Sequence, residues 1–298
     1  MLSTRQTNFT GAEFVTFGPV HLDVVDKDRS VGWWRDLVGL AVLADRGDLV
    51  ELGVDGKPLV VLRAGAKWPV QRGYSGLYHL ALDLPDEATF AQTLARLLAS
   101  GARLSTIDHV VAKSIYLGDP NGIGLELTVE LPERVRSIDW PSTASEPDII
   151  DAEGRHRQGL EPLDHEQVLA RLPDGPLPRS LPPETRVGHL HLAVSDLDAS
   201  YSFYRDGLRF IPSNYVPVIG YGDLGTGDFR IHRIALNTWQ GAGVPPRPNG
   251  MAGMDHFTLR LASPHVLNEL LRRLDDGGQI DGGYLVRDPD GNAIVLRS

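Results

Sequence analysis

Cysteine is absent from the 298 residues of this chain. Its absence excludes disulfide bonds, thiolate metal sites and a catalytic thiol. A bound metal ion would therefore need histidine and carboxylate ligands. The sequence supplies 10 histidines and 39 aspartates and glutamates for this purpose.

Positive charge and long apolar runs are scarce as well. The formal net charge of −10 argues against a nucleic-acid surface or an anionic-membrane surface, because both need a basic face. No apolar run approaches the roughly 18 residues of a membrane span. The first residues carry no basic stretch ahead of an apolar core, so no signal peptide is expected. These absences predict a cytoplasmic protein without nucleic-acid or membrane partners.

The chain repeats itself at a constant offset. Residues 18–40 (GPVHLDVVDKDRSVGWWRDLVGL) resemble residues 188–210 (GHLHLAVSDLDASYSFYRDGLRF), with identical residues recurring 170 positions apart. Farther along each half, GLYHLAL at 76–82 resembles GMDHFTL at 253–259. The segments DPNGIGLEL and DPDGNAIVL then follow in the same order. This consistent order indicates a duplicated chain.

Each half divides again into two units of one design. A unit opens with an alternating strand and runs into an amphipathic helix, with Asp or Ser available as the N-cap. Short β-rich runs follow, separated by Gly, Asp and Pro, and the DPNG and DPDG turns precede the last strand. The sequence therefore predicts an α+β protein of four βαβββ units. The predicted domains cover residues 14–130 and 185–298.

Residues 131–184 break the repeat, because they are rich in proline and charge. They are predicted to connect the two domains, with one short helix near 164–172. Long ordered loops often carry function, so a lid over a site is the alternative interpretation.

Four such units resemble the vicinal oxygen chelate superfamily of glyoxalases, bleomycin-resistance proteins, epimerases and extradiol dioxygenases. Within it, the segments GLYHLAL, DHVVAKSIYLGDPNG and IHRIALNTWQGAGVPP look like the two-module catechol 2,3-dioxygenase group. The resemblance covers nearly all of the chain outside the connector. It implies two paired, half-open β-barrel-like domains.

The resemblance also implies which strand positions can hold a metal ion. Six positions correspond, occupied here by Pro19, His79, Glu126, His189, His256 and Val295. If each half closed on itself, both sites would be incomplete. If the two inner units pair, one site collects His79, Glu126 and His189, while the other has only His256. We therefore predict one metal site, held by His79, Glu126 and His189, with three positions left open on an octahedral ion.

Further residues match roles that the extradiol family assigns. Tyr116 lies ten residues before Glu126, where the family has a substrate-contacting tyrosine, and His109 lies upstream of it. His232 lies in the third unit, where the family has its acid–base histidine. We predict catalytic roles for these three residues. His191 and Trp239 are predicted to bind the substrate.

The predicted function is extradiol cleavage of a small catechol-type aromatic with O2, in aromatic compound catabolism. Fe(II) is the expected cofactor, and Mn(II) or another divalent metal also accepts these ligands. Two alternatives remain open: a glyoxalase- or epimerase-like metal-dependent lyase or isomerase, and a metal-free binding protein that sequesters an aromatic drug. The sequence also leaves open whether the chain forms a homo-oligomer.

Overall fold

The computed structural model describes residues 14–227, 231–274 and 277–298. Within these ranges, the order strand, helix and three strands occurs four times, as the repeat predicts. The strands of the first two units are β1 (Val15–Val24), β2 (Ala41–Asp45), β3 (Leu49–Val54), β4 (Lys57–Ala64), β5 (Gly76–Asp83), β6 (Ser105–Asp108), β7 (Ala112–Gly118) and β8 (Gly124–Glu130). The strands of the last two units are β13 (Arg186–Ala193), β14 (Ile211–Val216), β15 (Tyr221–Gly225), β16 (Ile234–Asn237), β17 (Gly253–Leu261), β18 (Gly277–Ile280), β19 (Gly283–Arg287) and β20 (Ala293–Arg297).

The connector is ordered rather than extended. It contains the strands β9 (Val135–Asp139), β10 (Asp148–Asp151), β11 (His156–Arg157) and β12 (Glu161–Pro162). Strands β9, β10 and β11 form a small antiparallel sheet, and β12 pairs with β6 at the edge of a large sheet.

One helix belongs to each unit, and one short helix lies in the connector. They are α1 (Lys27–Gly32), α2 (Glu87–Ala99), α3 (His165–Leu169), α4 (Leu197–Ser202) and α5 (Pro264–Leu271). A π-helical turn extends α1 over Trp33–Val38 and α4 over Phe203–Gly207. Each helix begins after a capping side chain that accepts a backbone N–H, as expected for Asp and Ser.

The two large sheets combine units from different halves of the chain. The order β18-β19-β20-β17-β1-β4-β3-β2 joins the outer units, and β12-β6-β7-β8-β5-β13-β16-β15-β14 joins the inner units. Neither order closes on itself within the described ranges. The α+β class and the four βαβββ units are thus confirmed. The domain boundaries at 14–130, 131–184 and 185–298 stay a prediction.

Strand alternation gives each sheet an apolar face and a polar face. On β5 and β13 the leucines Leu80, Leu82, Leu190 and Leu192 are fully buried in the main core, together with residues of α2 such as Phe90. Side chains at the intervening positions point to the opposite, concave face, because the period of a strand is two. The histidines of these strands lie at those intervening positions.

A repeated contact holds the two units of each half together. In the first half, the buried amide of Asn121 accepts a hydrogen bond from the Val25 N–H (2.9 Å) and donates one to Ser30 Oγ (3.0 Å). In the second half, the carboxylate of Asp290 accepts from the Ser195 N–H (2.9 Å) and from Ser200 Oγ (3.1 Å). The DPNG and DPDG turns therefore bind the start of the preceding unit's helix.

No helix among the described residues is both long enough and apolar enough to cross a membrane.

Replacing Asn121 by Ala should lower the free energy of unfolding by about 1–3 kcal/mol, because the Val25 N–H loses its acceptor, and the buried Ser30 hydroxyl and Asp119 carboxylate each lose a donor. Urea denaturation followed by circular dichroism measures this change. Asn249, which is exposed and makes no hydrogen bond to the described residues, is the matched control, and its alanine variant should change stability by less than about 0.5 kcal/mol. Equal stability of the two variants would contradict the role given to Asn121.

Candidate metal centre

Three neighbouring strands bring His79, Glu126 and His189 together. They lie on β5, β8 and β13, and β5 is the middle strand of the three. Ala81, two residues after His79 and on the same face, pairs in register with Glu126 on one side and with His189 on the other. The small methyl group of Ala81 leaves the space between the two larger side chains free. The convergence expected from pairing of the inner units is confirmed.

The donor atoms are spaced as ligands of one ion would be. His79 Nε2 lies 2.9 Å from Glu126 Oε2, His189 Nε2 lies 3.1 Å from the same oxygen, and the two Nε2 atoms are 3.4 Å apart. Ligands at adjacent corners of an octahedron with bonds of about 2.1 Å would be about 3.0 Å apart. All three residues are buried, so this group could hold a metal ion.

The protonation states of Glu126 and His189 also suit a metal ion. Burial alone would raise the pKa of Glu126, but His189 and His79 beside it outweigh burial and hold that pKa well below its usual range. Burial lowers the pKa of His189 to about 3. An ionised carboxylate and a neutral imidazole are the forms that bind metals.

A serine fixes the orientation of the carboxylate. Ser114 Oγ donates to Glu126 Oε1 at 2.5 Å, and Ser114 in turn contacts Thr128 Oγ1 at 3.1 Å. The oxygen that faces the histidines is the other one, Oε2. Such outer contacts orient metal ligands and tune their affinity. Ser114 was not predicted from the sequence, because no local sequence pattern distinguishes it from other serines on strands.

Tyr116 and His109 form a hydrogen-bonded pair beside this centre. Tyr116 pairs in register with Glu126, and its ring lies 5.6 Å from that of His79. His109 Nδ1 donates to the Gly159 carbonyl (2.8 Å), so in the neutral ring Nε2 accepts, and the Tyr116 hydroxyl donates to it (2.8 Å). Burial raises the pKa of Tyr116 well above its ordinary value, which keeps the phenol protonated.

His232 lies on the opposite side of the centre, just before β16. Its ring centroid is 4.4 Å from that of His189, and the side chain is half-buried. Burial lowers the pKa of His232, so the imidazole is neutral near pH 7. The catalytic roles of His232, Tyr116 and His109 stay predictions.

Aromatic side chains line the approach to the centre. The ring of His191 lies 4.8 Å from His79 and 5.4 Å from Trp239, and its Nε2 accepts a hydrogen bond from the Asn237 amide (2.8 Å). Two further rings complete this wall: Tyr78 lies 5.0 Å from His191, and Tyr221 stacks on Trp239 at 6.1 Å. The substrate-binding roles of His191 and Trp239 likewise stay predictions.

A β-bulge explains why Tyr78 is missing from the residues singled out in the sequence. Strict alternation would turn it away from its neighbour His79. His191 pairs with His79, but the next residue, Leu192, pairs with Leu77, so Tyr78 is the extra residue of a bulge. Its ring therefore lies 5.6 Å from that of His79. Bulges depend on the partner strand, so the local pattern carries no signal for them.

The connector reaches the same region. Gly159 supplies the carbonyl that orients His109, and Trp140 stacks on Tyr221 with ring centroids 5.3 Å apart. A small apolar cluster of Val110, Val135 and Ile149 packs the connector sheet against the strand turn that carries His109. The connector is therefore in contact with the aromatic wall and with the His109–Tyr116 pair.

Fold and site together define a class: duplicated βαβββ proteins with a two-histidine, one-carboxylate centre between the inner units. The chain belongs to the Glyoxalase/Bleomycin resistance protein/Dioxygenase superfamily. The model of that superfamily matches residues 186–296, and the Glyoxalase-like domain model matches residues 19–128.

Individual relatives agree with this membership. The chain is 31% identical over 286 residues to the catechol-2,3-dioxygenase of Bacillus subtilis (strain 168), covering 93% of this chain and 95% of that protein. Among solved structures, a candidate dioxygenase of Bacillus subtilis superposes with a TM-score of 0.57 at 13% identity, covering 94% of this chain and 84% of that one. Glyoxalase I from Zea mays superposes with a TM-score of 0.50 at 17% identity, covering 95% and 92%. These two structural similarities show the fold.

Replacing Glu126 by Ala should weaken binding of Fe(II) or Mn(II) by about 100-fold or more, because the only anionic ligand of the group is lost. Metal content after anaerobic loading and desalting measures this effect. Glu51→Ala is the control, since Glu51 lies in the sheet of the outer units and pairs only with Arg46 among the described residues (3.3 Å). Stoichiometric metal retained by the Glu126 variant would contradict the site.

Proposed function

We propose that this protein is an extradiol ring-cleaving dioxygenase, which opens a small catechol-type aromatic with O2. The observation that carries the proposal is the buried face of two histidines and one glutamate, flanked by Tyr116 on one side and His232 on the other. The relation to a catechol-2,3-dioxygenase over nearly the whole chain supports the same function.

A divalent iron held by His79, Glu126 and His189 would leave positions for both oxygens of a catechol and for O2, which is the chemistry such triads support. Mn(II) or another divalent ion accepts the same ligands. The chain's part is to bind the ring, to handle protons at the substrate oxygens and to keep water out.

Tyr116 and His109 are suited to receive a proton from a catechol hydroxyl. The phenol of Tyr116 already donates its proton to His109 Nε2, so it can meet a substrate hydroxyl only as an acceptor. A proton that enters at Tyr116 Oη can leave toward His109 Nε2, and the Gly159 carbonyl keeps that imidazole oriented. This relay favours the anionic form of the substrate without requiring a charged tyrosine.

His232 is suited to act as the acid–base group. It is neutral near pH 7, so it can first accept a proton and then return it as the oxygen–oxygen bond breaks. Its position next to His189 puts it on the side of the centre away from Tyr116. The two proton-handling groups therefore serve different oxygens.

The aromatic wall is suited to bind a flat ring. His191, Trp239, Tyr78 and Tyr221 present ring faces and edges near the centre, and aromatic pairs of this kind add to burial energy. Trp140 stacks on Tyr221 from the connector, which favours the lid interpretation of that segment. A lid that covers the ring would also exclude water from the centre.

Anaerobic loading with Fe(II), followed by a panel of substituted catechols in an oxygen electrode, tests the proposal. We expect O2 uptake with at least one catechol, together with a yellow ring-cleavage product, and loss of both in His79→Ala. Turnover of a hemithioacetal without O2 uptake would favour the lyase or isomerase alternative instead. Stoichiometric binding of an aromatic compound that EDTA leaves unchanged would favour the drug-sequestering alternative.

His232→Ala should keep its iron but lower kcat by about 10²–10⁴-fold, which is the usual contribution of a positioned acid–base group. Metal content and oxygen uptake are measured on the same preparation, so loss of the ion is separated from loss of proton transfer. His156→Ala is the control, because this imidazole is 75% exposed in the connector. A kcat within about twofold of wild type would remove His232 from the mechanism.

A further inference from the structure

The outer units enclose a second concavity that the proposed chemistry does not use. A cavity of about 770 Å³ opens on the sheet that contains β1, β4, β17 and β20. Pro19 and Val295 occupy ligand-equivalent positions here, so the set of ligands is incomplete. The rings of His21 and His256 stack at its centre, 3.9 Å apart. The volume is that of a small-molecule site.

Three arginines line this cavity: Arg260, Arg287 and Arg297. None has an ion-pair partner among the residues that the structure describes. Arg260 and Arg297 are directly paired in register on β17 and β20, and both face the cavity. Like charges in such paired positions repel each other. Both side chains are exposed, so solvent screens part of this repulsion, and an anion between them would convert it into attraction.

Arg247 in the cavity wall and Arg63 on β4 are neutralised. Arg63 pairs with Asp23 (2.7 Å) and Asp255 (2.5 Å), and Arg247 pairs with Asp23 (3.2 Å). Asp255 is the extra residue of a bulge that matches the bulge at Tyr78 in the inner sheet. The two adjoining arginines without an ion-pair partner within the described ranges are thus Arg260 and Arg297, whereas Arg287 pairs with Ala293, four positions before Arg297. Their positive charge stands out in a chain whose net charge is −10.

The buried hydroxyl group of Ser75 lies in another part of the cavity wall. Ser75 lines the cavity with only 3% of its surface exposed, and its Oγ has no hydrogen-bond partner in the described part of the chain. Buried hydroxyl groups normally make a hydrogen bond. A buried hydroxyl without a protein partner in a cavity wall therefore indicates that a ligand or a water molecule binds it. Arg260 lies four positions after His256 on β17, a distance of about 13 Å, so a ligand that spans the cavity from His256 to Arg260 is larger than a simple ion.

We propose that this second cavity binds a small molecule with a carboxylate or phosphate group. The oxyanion lies between Arg260 and Arg297, whose guanidinium groups suit bidentate contact with either group. The rest of the ligand extends across the His21–His256 pair toward the hydroxyl of Ser75. This inference stands apart from the proposed function, because it uses none of the residues of the inner sheet.

Inorganic phosphate and succinate are the two probes, added to the metal-loaded full chain in a buffer without other oxyanions. Isothermal titration calorimetry gives the affinity, and thermal unfolding gives the shift in Tm that binding to the folded state produces. We expect at least one probe to raise Tm and to bind the double variant Arg260→Ala/Arg297→Ala about tenfold more weakly, or about 1.4 kcal/mol. Which probe binds more tightly identifies the oxyanion.

Two controls separate binding from misfolding. Without anion, the double variant should unfold at the same Tm as wild type or higher, because removing the arginine pair relieves repulsion. Arg103→Ala, an exposed arginine outside the cavity with no partner among the described residues, should bind the probes like wild type. The proposal is overturned if neither probe binds at about 10 mM, or if the double variant binds as tightly as wild type.

Discussion

The antiparallel pairing of β5 with β13 is the interaction on which the site depends. It joins the second and third units, and it brings His79 within 3.4 Å of His189 although 110 residues separate them in the chain. Glu126 then enters from β8, the parallel neighbour of β5. A slip of one residue in this register would turn the histidines into the leucine core, so the buried Leu80 and Leu190 fix the geometry of the polar face.

The same architecture occurs twice, with different chemistry on its concave face. In the inner sheet the face carries metal-type ligands and aromatic rings. In the outer sheet, Pro19 and Val295 occupy the ligand-equivalent positions and have no side-chain atom that binds a metal. Arginines line the cavity there. Both sheets keep a bulge at the equivalent place, beside His79 and beside His256. Duplication therefore preserved the scaffold while side chains on the concave faces diverged, which agrees with function residing in sites rather than folds.

The connector is in direct contact with the candidate site. Its sheet packs on the turn next to His109, its Gly159 carbonyl fixes the tautomer of that histidine, and Trp140 stacks on the aromatic wall. Because these contacts belong to a segment outside the repeat, the two halves can keep one design while the connector adapts one site alone. The second concavity shares none of these contacts among the described residues.

The sequence by itself predicted the four units and the capped helices, because a repeat carries positional information across distant segments. Its resemblance to the vicinal oxygen chelate superfamily then identified the three metal-type residues. The resemblance to the extradiol family also predicted Tyr116 and His232 near these residues, and their rings lie 5.6 Å from that of His79 and 4.4 Å from that of His189. Only the tertiary structure decided that Tyr78 faces the site and that Trp140 reaches it. A bulge depends on the neighbouring strand, and a stacked ring depends on the ring that faces it. A local sequence pattern contains no information about either partner.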